Sequence, residues 1–438
     1  MNRPRGLRLL RARGGGTAAT AFVLALAAGL LTLGPSTPTA SHASPVPARP
    51  GVLTLALQAA RSRPRDPSAW SGLGLAELDQ GRLTLDPDWL TRADQALHRS
   101  LALQPTANYY AVVGRGMLAN ARHQFAAART FGLQATAMAP DRPTGYTVLA
   151  DAEIQLGHYP QATAATQRLL DLAPTVPAFT RAAYDLETHG RPAEAAIALQ
   201  RALATAQSPG DRAFCQHRLG DLAWDAGDVT GAAGYYRLAL ASSPGDFYAL
   251  DGQARTDAAQ GRTDRALHDY AALVARVPLP QFLLEFAELQ LALGHRDAAA
   301  DQLAVLAGQV KILQALGGPV DPHLALYQAQ YADPGTAVAL LRGEWRQRHS
   351  VLVADALAWA LHQNGQDPEA LDYAHRAAAT GWRSPLFAYH RGAIEAALHR
   401  PEAAADLRLA LTLNPHFSPY DAPRAARLLR LADRARPE

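Results

Sequence analysis

AFCQHRLGDLAWDAGDVTGAAGYYRLALASSPGD, residues 213–246, is laid out as two helices and a turn. Leu219, Gly220 and Ala223 recur at helical spacing. Gly227 follows where a tight turn requires a residue that tolerates positive φ. Ala232, Tyr236 and Ala239 form a second apolar stripe, and Pro244 stops it, since proline lacks an N–H and clashes with a continuing helical turn. The small residues let two antiparallel helices approach closely.

The same layout returns along the chain. Gly227 and Gly261 are 34 residues apart, as are Ala232 and Ala266, Pro244 and Pro278, and Pro140 and Pro174. The next unit, Phe247–Pro280, keeps Leu250, Ala254, Gly261, Ala266, Tyr270 and Pro278 in frame. Further units begin near Trp70, Pro143 and Val351, the first with an insertion around Leu83–Leu90. From Pro280 to Ser350 the helical rhythm persists but the spacing is lost, with extra residues around Val310–Pro319. A fixed period of this size marks a repeat array, in which no unit buries its apolar face alone and units must stack.

This pattern of a large residue, Leu, Gly, an aromatic, Ala and Pro at fixed places resembles the tetratricopeptide repeat. The resemblance covers nearly all of residues 51–420. It implies an all-α, right-handed superhelical solenoid of about ten helix–turn–helix repeats with capping helices. The structural positions of the frame are Gly220, Gly227, Ala232, Tyr236, Pro244, Gly261, Ala266 and Pro278. The expected organisation is a leader over 1–43, a Pro-rich linker over 44–50 and a solenoid over 51–438. Within the solenoid, 51–66 is an N-terminal cap helix, 67–420 the repeats and 421–438 an amphipathic C-terminal cap. HEAT and armadillo repeats have longer periods. A pentatricopeptide array would need a basic, base-reading groove.

Composition agrees. Hydrophobic residues make up 48% of the 438, dominated by alanine and leucine, both strong helix formers. The single cysteine, Cys215, excludes an intramolecular disulfide. Arg3, Arg5, Arg8, Arg11 and Arg13, the apolar run Thr17–Leu33 and the small-residue site Ser41-His42-Ala43 have the layout of a secretory signal peptide. The run is also long enough for an uncleaved membrane anchor. Both readings place the rest of the chain outside the cytoplasmic membrane. Those five arginines exceed the net +3 of the whole chain, so the remainder is slightly acidic. No basic stripe for nucleic-acid phosphates is present.

The resemblance implies that the first helix of each unit lines the concave face. Carried over residue by residue, the inward positions are Asp151, Arg181, Tyr184, His217, Asp221, Trp224, Asp225, Asp251, Arg255, Asp355, Trp359 and His362. Acids, a few arginines, histidines and aromatics suit a groove for a protein or peptide segment, anchored by aromatics and gated by charge. The competing reading is a solvated polar face. A carboxylate clamp of clustered Lys and Asn is not expected, because Lys311 is the only lysine.

No catalytic, metal or cofactor site is expected. His295-Arg296-Asp297 matches a kinase triplet in letters only, with no accompanying Gly-rich loop or Asp-Phe-Gly. Cys215 and His217 have no second cysteine to complete a metal site. The function expected is therefore a non-enzymatic interaction scaffold. The alternative is a dedicated accessory chaperone or regulatory subunit of an envelope enzyme or transporter.

Overall fold

A computed structural model describes residues 50–316 and 318–434. The leader, the linker ahead of residue 50 and the last four residues of the C-terminal cap lie outside the described residues. The described residues form 22 α-helices, from Pro50–Ser62 to Ala422–Arg434, and no strand. The fold is an all-α helical repeat. Helices pack as sequential antiparallel pairs, for example Pro143–Leu156 with Tyr159–Leu172 and Val351–Gln363 with Asp367–Ala378.

Local chemistry sets the ends of these helices. Asp66, Asn108, Asp246, Asp321, Asp333, Ser350 and Ser384 cap first or second helices through side-chain oxygens that accept backbone N–H bonds. Pro67, Pro143, Pro280, Pro322, Pro334 and Pro385 begin helices, where the missing N–H costs nothing. Pro244 and Pro278 lie in the turns between units. Gly227 and Gly261 occupy the hairpin turns at φ 76° and 77°. His123 and His399 hold the equivalent turns at φ 56° and 53°, each 34 residues from a left-handed glycine, Gly157 or Gly365.

The extra residues around Val310–Pro319 are absorbed by lengthening one helix, Arg296–Leu316, to 21 residues. The insertion around Leu83–Leu90 follows a helix that ends at Thr84, with Leu85 in the left-handed region.

The chain divides into two compact units. The first holds the described residues through Asp185, with Arg201–Asp211 and Ser243–Gly245. The second holds Leu186–Gln200, Arg212–Ser242 and the described residues from Asp246 onward.

One packing device recurs in both units. In the first, Leu97 fills the space above two glycines of neighbouring first helices: a Cβ on Gly74 would lie 2.7 Å from Leu97 Cγ, and one on Gly114 2.4 Å from its Cδ2. In the second, Tyr236 is 0% exposed between Gly220 and Gly252, whose added Cβ atoms would meet its ring at 2.6 and 2.3 Å. Ala232 and Ala266 are fully buried on the same kind of second helix.

The second unit also brings distant hairpins together. The Asn414 side-chain amide, fully buried, donates to the Trp224 carbonyl at 2.8 Å. A Cβ on Gly227 would stand 2.7 Å from the Leu413 carbonyl oxygen.

Glycines in the first unit separate packing from propensity. A Cβ on Gly132 would press on Leu149 backbone atoms at 3.0 Å, whereas Gly72 faces open space within a helix. Gly132→Ala is expected to lose about 1–3 kcal/mol and Gly72→Ala to gain about 0.5–1 kcal/mol. Urea unfolding followed by circular dichroism checks both, and equal effects at the two sites would contradict this packing.

Candidate functional site

The second unit encloses a cavity of about 410 Å³. Its wall comes mainly from first helices: Trp224, then Arg255, then Glu285 and Glu288, then Tyr331 and Trp359. The segment 415–423, which runs from the loop after Leu413 into the first turn of the last helix, closes one side with Phe417, Ser418 and Asp421. Helical repetition explains the placement, since residues 34 apart fall on equivalent points of successive units. Glu187, Asp221 and Arg255 form one such column, and His217, Asp251 and Glu285 another.

Arg255 is the centre of the charge arrangement. Its guanidinium lies 3.5 Å from Asp221, 3.6 Å from Asp251 and 3.8 Å from Glu285, and over the Trp224 ring at 5.2 Å. Asp221 also accepts from Arg218 at 2.9 Å and from the Tyr236 hydroxyl at 2.8 Å. Burial pushes the Asp221 carboxyl up. Arg218, His217, Arg255 and the Tyr236 hydrogen bond outweigh that and hold it below its ordinary value. Arg218 reaches on to Glu187 at 2.6 Å.

The neighbouring acids have fewer cations. Asp251 is 1% exposed, and burial, then the charge of Glu285, push it well above the carboxylate range. Tyr270 and Gln281 donate to Glu285 at 3.1 and 3.0 Å. Glu288 accepts from Ser418 at 3.1 Å and Tyr331 at 3.3 Å, and burial followed by Asp421 pushes it up strongly. Asp421 accepts from Tyr389 at 3.4 Å. Half-buried Asp225 is pushed up to about 7, by burial first and then by Glu187 and Asp221.

The positions expected to face a groove have separate fates. Trp224, Arg255 and Trp359 line this cavity together. Asp221, Asp225 and Asp251 belong to the charge network around it. His217 is buried with Nδ1 3.1 Å from the capping carboxylate of Asp246, a structural role. His362 pairs with Asp367 in its hairpin. Asp355 is buried 2.9 Å from His390 Nδ1, and Trp359 stacks on that imidazole at 4.2 Å while donating to Gln330 at 2.8 Å. Asp151, Arg181 and Tyr184 belong to the first unit, where buried Arg181 donates to Asp151 at 2.5 Å and to the Pro177 carbonyl at 3.1 Å.

Sequence reasoning missed Glu285, Glu288 and His390. Glu285 stood 34 residues after Asp251 and was open to that argument. The others lie where the period is broken or where a contact spans a long stretch of chain.

Comparison with known proteins finds the same repeat. The family model described as tetratricopeptide repeat matches residues 53–98 and 180–247. Cellulose synthase operon protein C of Xanthomonas axonopodis pv. citri (strain 306) is 30% identical over 216 residues, 48% of this chain. The match spans only 14% of that relative's length. A thermophilic tetratricopeptide-repeat protein of Thermus thermophilus has 21% identity and a TM-score of 0.37, over 43% of this chain and 98% of that one. Human IFIT1, solved as a dimer with PPP-AAAA, has 17% identity and a TM-score of 0.48, over 72% and 73% of the two chains.

The Asp225 shift carries a pH signature. An aspartate whose pKa rises from 3.8 to about 7 on folding holds its proton more tightly folded than unfolded. The cost of ionising it is absent below the unfolded value, grows through the interval and is complete above the folded one. Asp225→Asn should therefore raise Tm at pH 8, by about 2–4 °C, and by clearly less at pH 5. Thermal melts of both proteins at the two pH values decide this, and an equal gain at each would contradict the assignment.

Proposed function

We propose that this tetratricopeptide-repeat protein is a non-catalytic interaction module that receives a segment of a partner protein in the cavity of its second unit. The observation that carries the reading is the cavity itself, walled by aromatic and charged side chains from successive first helices. Buried aromatics supply contact area at low entropic cost, and a few charged groups fix orientation and choice. The carboxylates around Arg255 make this wall a poor host for nucleic-acid phosphates.

The N-terminal basic and apolar segment supports an address outside the cytoplasmic membrane, as a secreted or anchored protein. The relative named for a cellulose synthase operon favours a second, narrower reading: an accessory subunit serving an envelope enzyme. A dedicated subunit would capture one dominant client, a general scaffold several.

A photo-crosslinking residue tests the site. Ala259 is in the cavity wall, whereas Leu238 is an exposed side chain, 52% accessible, on a second helix. With the crosslinker at 259 in cells of the source organism, discrete protein adducts are expected. With it at 238, adducts should be absent or weaker. Adducts at 238 alone would move the binding surface away from the cavity, and one adduct against several separates the two readings.

A further inference from the structure

Three carboxylates, Glu285, Glu288 and Asp421, share the cavity wall with one arginine, Arg255, and three histidines. Asp251 and Glu285 share Arg255 with Asp221, and Asp221 alone of the three has a second arginine, Arg218. On the other side, Glu288 and Asp421 face each other's charge; Arg424 lies 3.4 Å from Asp421, while Glu288 is held by hydroxyl donors. Behind the wall Asp251 is 1% exposed, and its Oδ1 has no hydrogen-bond donor. Its other oxygen lies 3.6 Å from Arg255, which stands in the cavity wall. Carboxylates buried with too few donors are costly, and supplying a donor at Glu285 and Glu288 lowers that cost.

The chemistry of the missing donor is constrained. Among the described residues no group of three or more His, Cys, Asp or Glu side chains is placed to hold a metal ion. The remaining wall mixes aliphatic and histidine side chains with the aromatics Trp224, Tyr270, Tyr331, Trp359 and Phe417. Aromatic faces beside carboxylates suit an organic cation, which gains from the ring quadrupole as well as from the opposite charge. Arg255 over Trp224 is an internal example of that pairing in this wall. A volume of about 410 Å³ accommodates a long side chain together with the backbone that carries it.

We propose that the cavity takes an arginine or lysine side chain from the partner's segment, its cationic head at Glu285 and Glu288 and its stem along the aromatic wall. This rests on the reading of the cavity as the partner site and names the partner's chemistry: a basic segment.

The test uses the full chain and a matched pair of short peptides, acetyl-Gly-Gly-Arg-Gly-Gly-amide and the same peptide with citrulline for arginine. Citrulline keeps the shape and loses the charge. Tryptophan fluorescence, reporting Trp224 and Trp359, and calorimetry follow binding. The arginine peptide is expected to bind at least about tenfold more tightly than the citrulline peptide. Glu285→Gln and Glu288→Gln should each weaken it by about tenfold, while Glu194→Gln, on an exposed pair with Arg191, should leave it unchanged. Thermal melts confirm that each variant is folded, and a lysine peptide ranks guanidinium against ammonium. Equal binding of the arginine and citrulline peptides overturns the proposal, as does no binding of either. Crosslinking from position 259 then separates the two failures: adducts there with no charge preference keep the partner site and discard the cation, and no adducts discard both.

Discussion

Everything in this protein depends on one large side chain from a second helix fitting between small residues of two successive first helices. Tyr236 does this between Gly220 and Gly252, and Leu97 between Gly74 and Gly114. In each case a single added Cβ would overlap the inserted side chain. The arrangement fixes how closely neighbouring units stack, and stacking is the only way such units bury their apolar faces. Dense packing of this kind is sensitive to single methylene groups.

In the second unit such a side chain also reaches the charged groups of the cavity wall. Tyr236 is fully buried along its ring, yet its hydroxyl donates to Asp221 at 2.8 Å and lies 3.5 Å from Arg255. Tyr270, 34 residues on, is buried against Phe286 and donates to Glu285 at 3.1 Å. The packing element and the electrostatic element are thus one side chain. Because the repeat places positions at a fixed interval, it also lines up charged residues in columns, such as Glu187, Asp221 and Arg255. Burial first, and neighbouring acids second, raise the carboxyls of Asp225, Asp251 and Glu288.

Much of this was legible in the sequence, for reasons that particular residues make clear. Gly227, Ala232, Tyr236 and Pro244 each answer a local demand of backbone or packing, so their spacing reports the hairpin directly. Trp224, Arg255 and Trp359, expected from the frame to face a groove, line the cavity. Other features were hidden because no local demand marks them. His123 and His399 adopt the left-handed turn that glycine adopts elsewhere, so the letter differs while the geometry holds. The helix Arg296–Leu316 absorbs its extra residues as added turns, which shifts the frame without breaking helicity. His217 and His362, expected to face a groove, pair with Asp246 and Asp367. Asn414 closes on Trp224 across 190 residues of sequence, and no periodicity announces a bond of that range.

The most direct test of this account is a double-mutant cycle between Gly252→Ala and Tyr236→Leu, read by equilibrium unfolding. If Tyr236 is the side chain that Gly252 makes room for, shortening it should relieve the overlap. The double variant should then be more stable than the sum of the single losses by about 1 kcal/mol or more. Strictly additive losses would show that the two residues do not share that space, and would contradict the packing on which the fold and the cavity wall both rest.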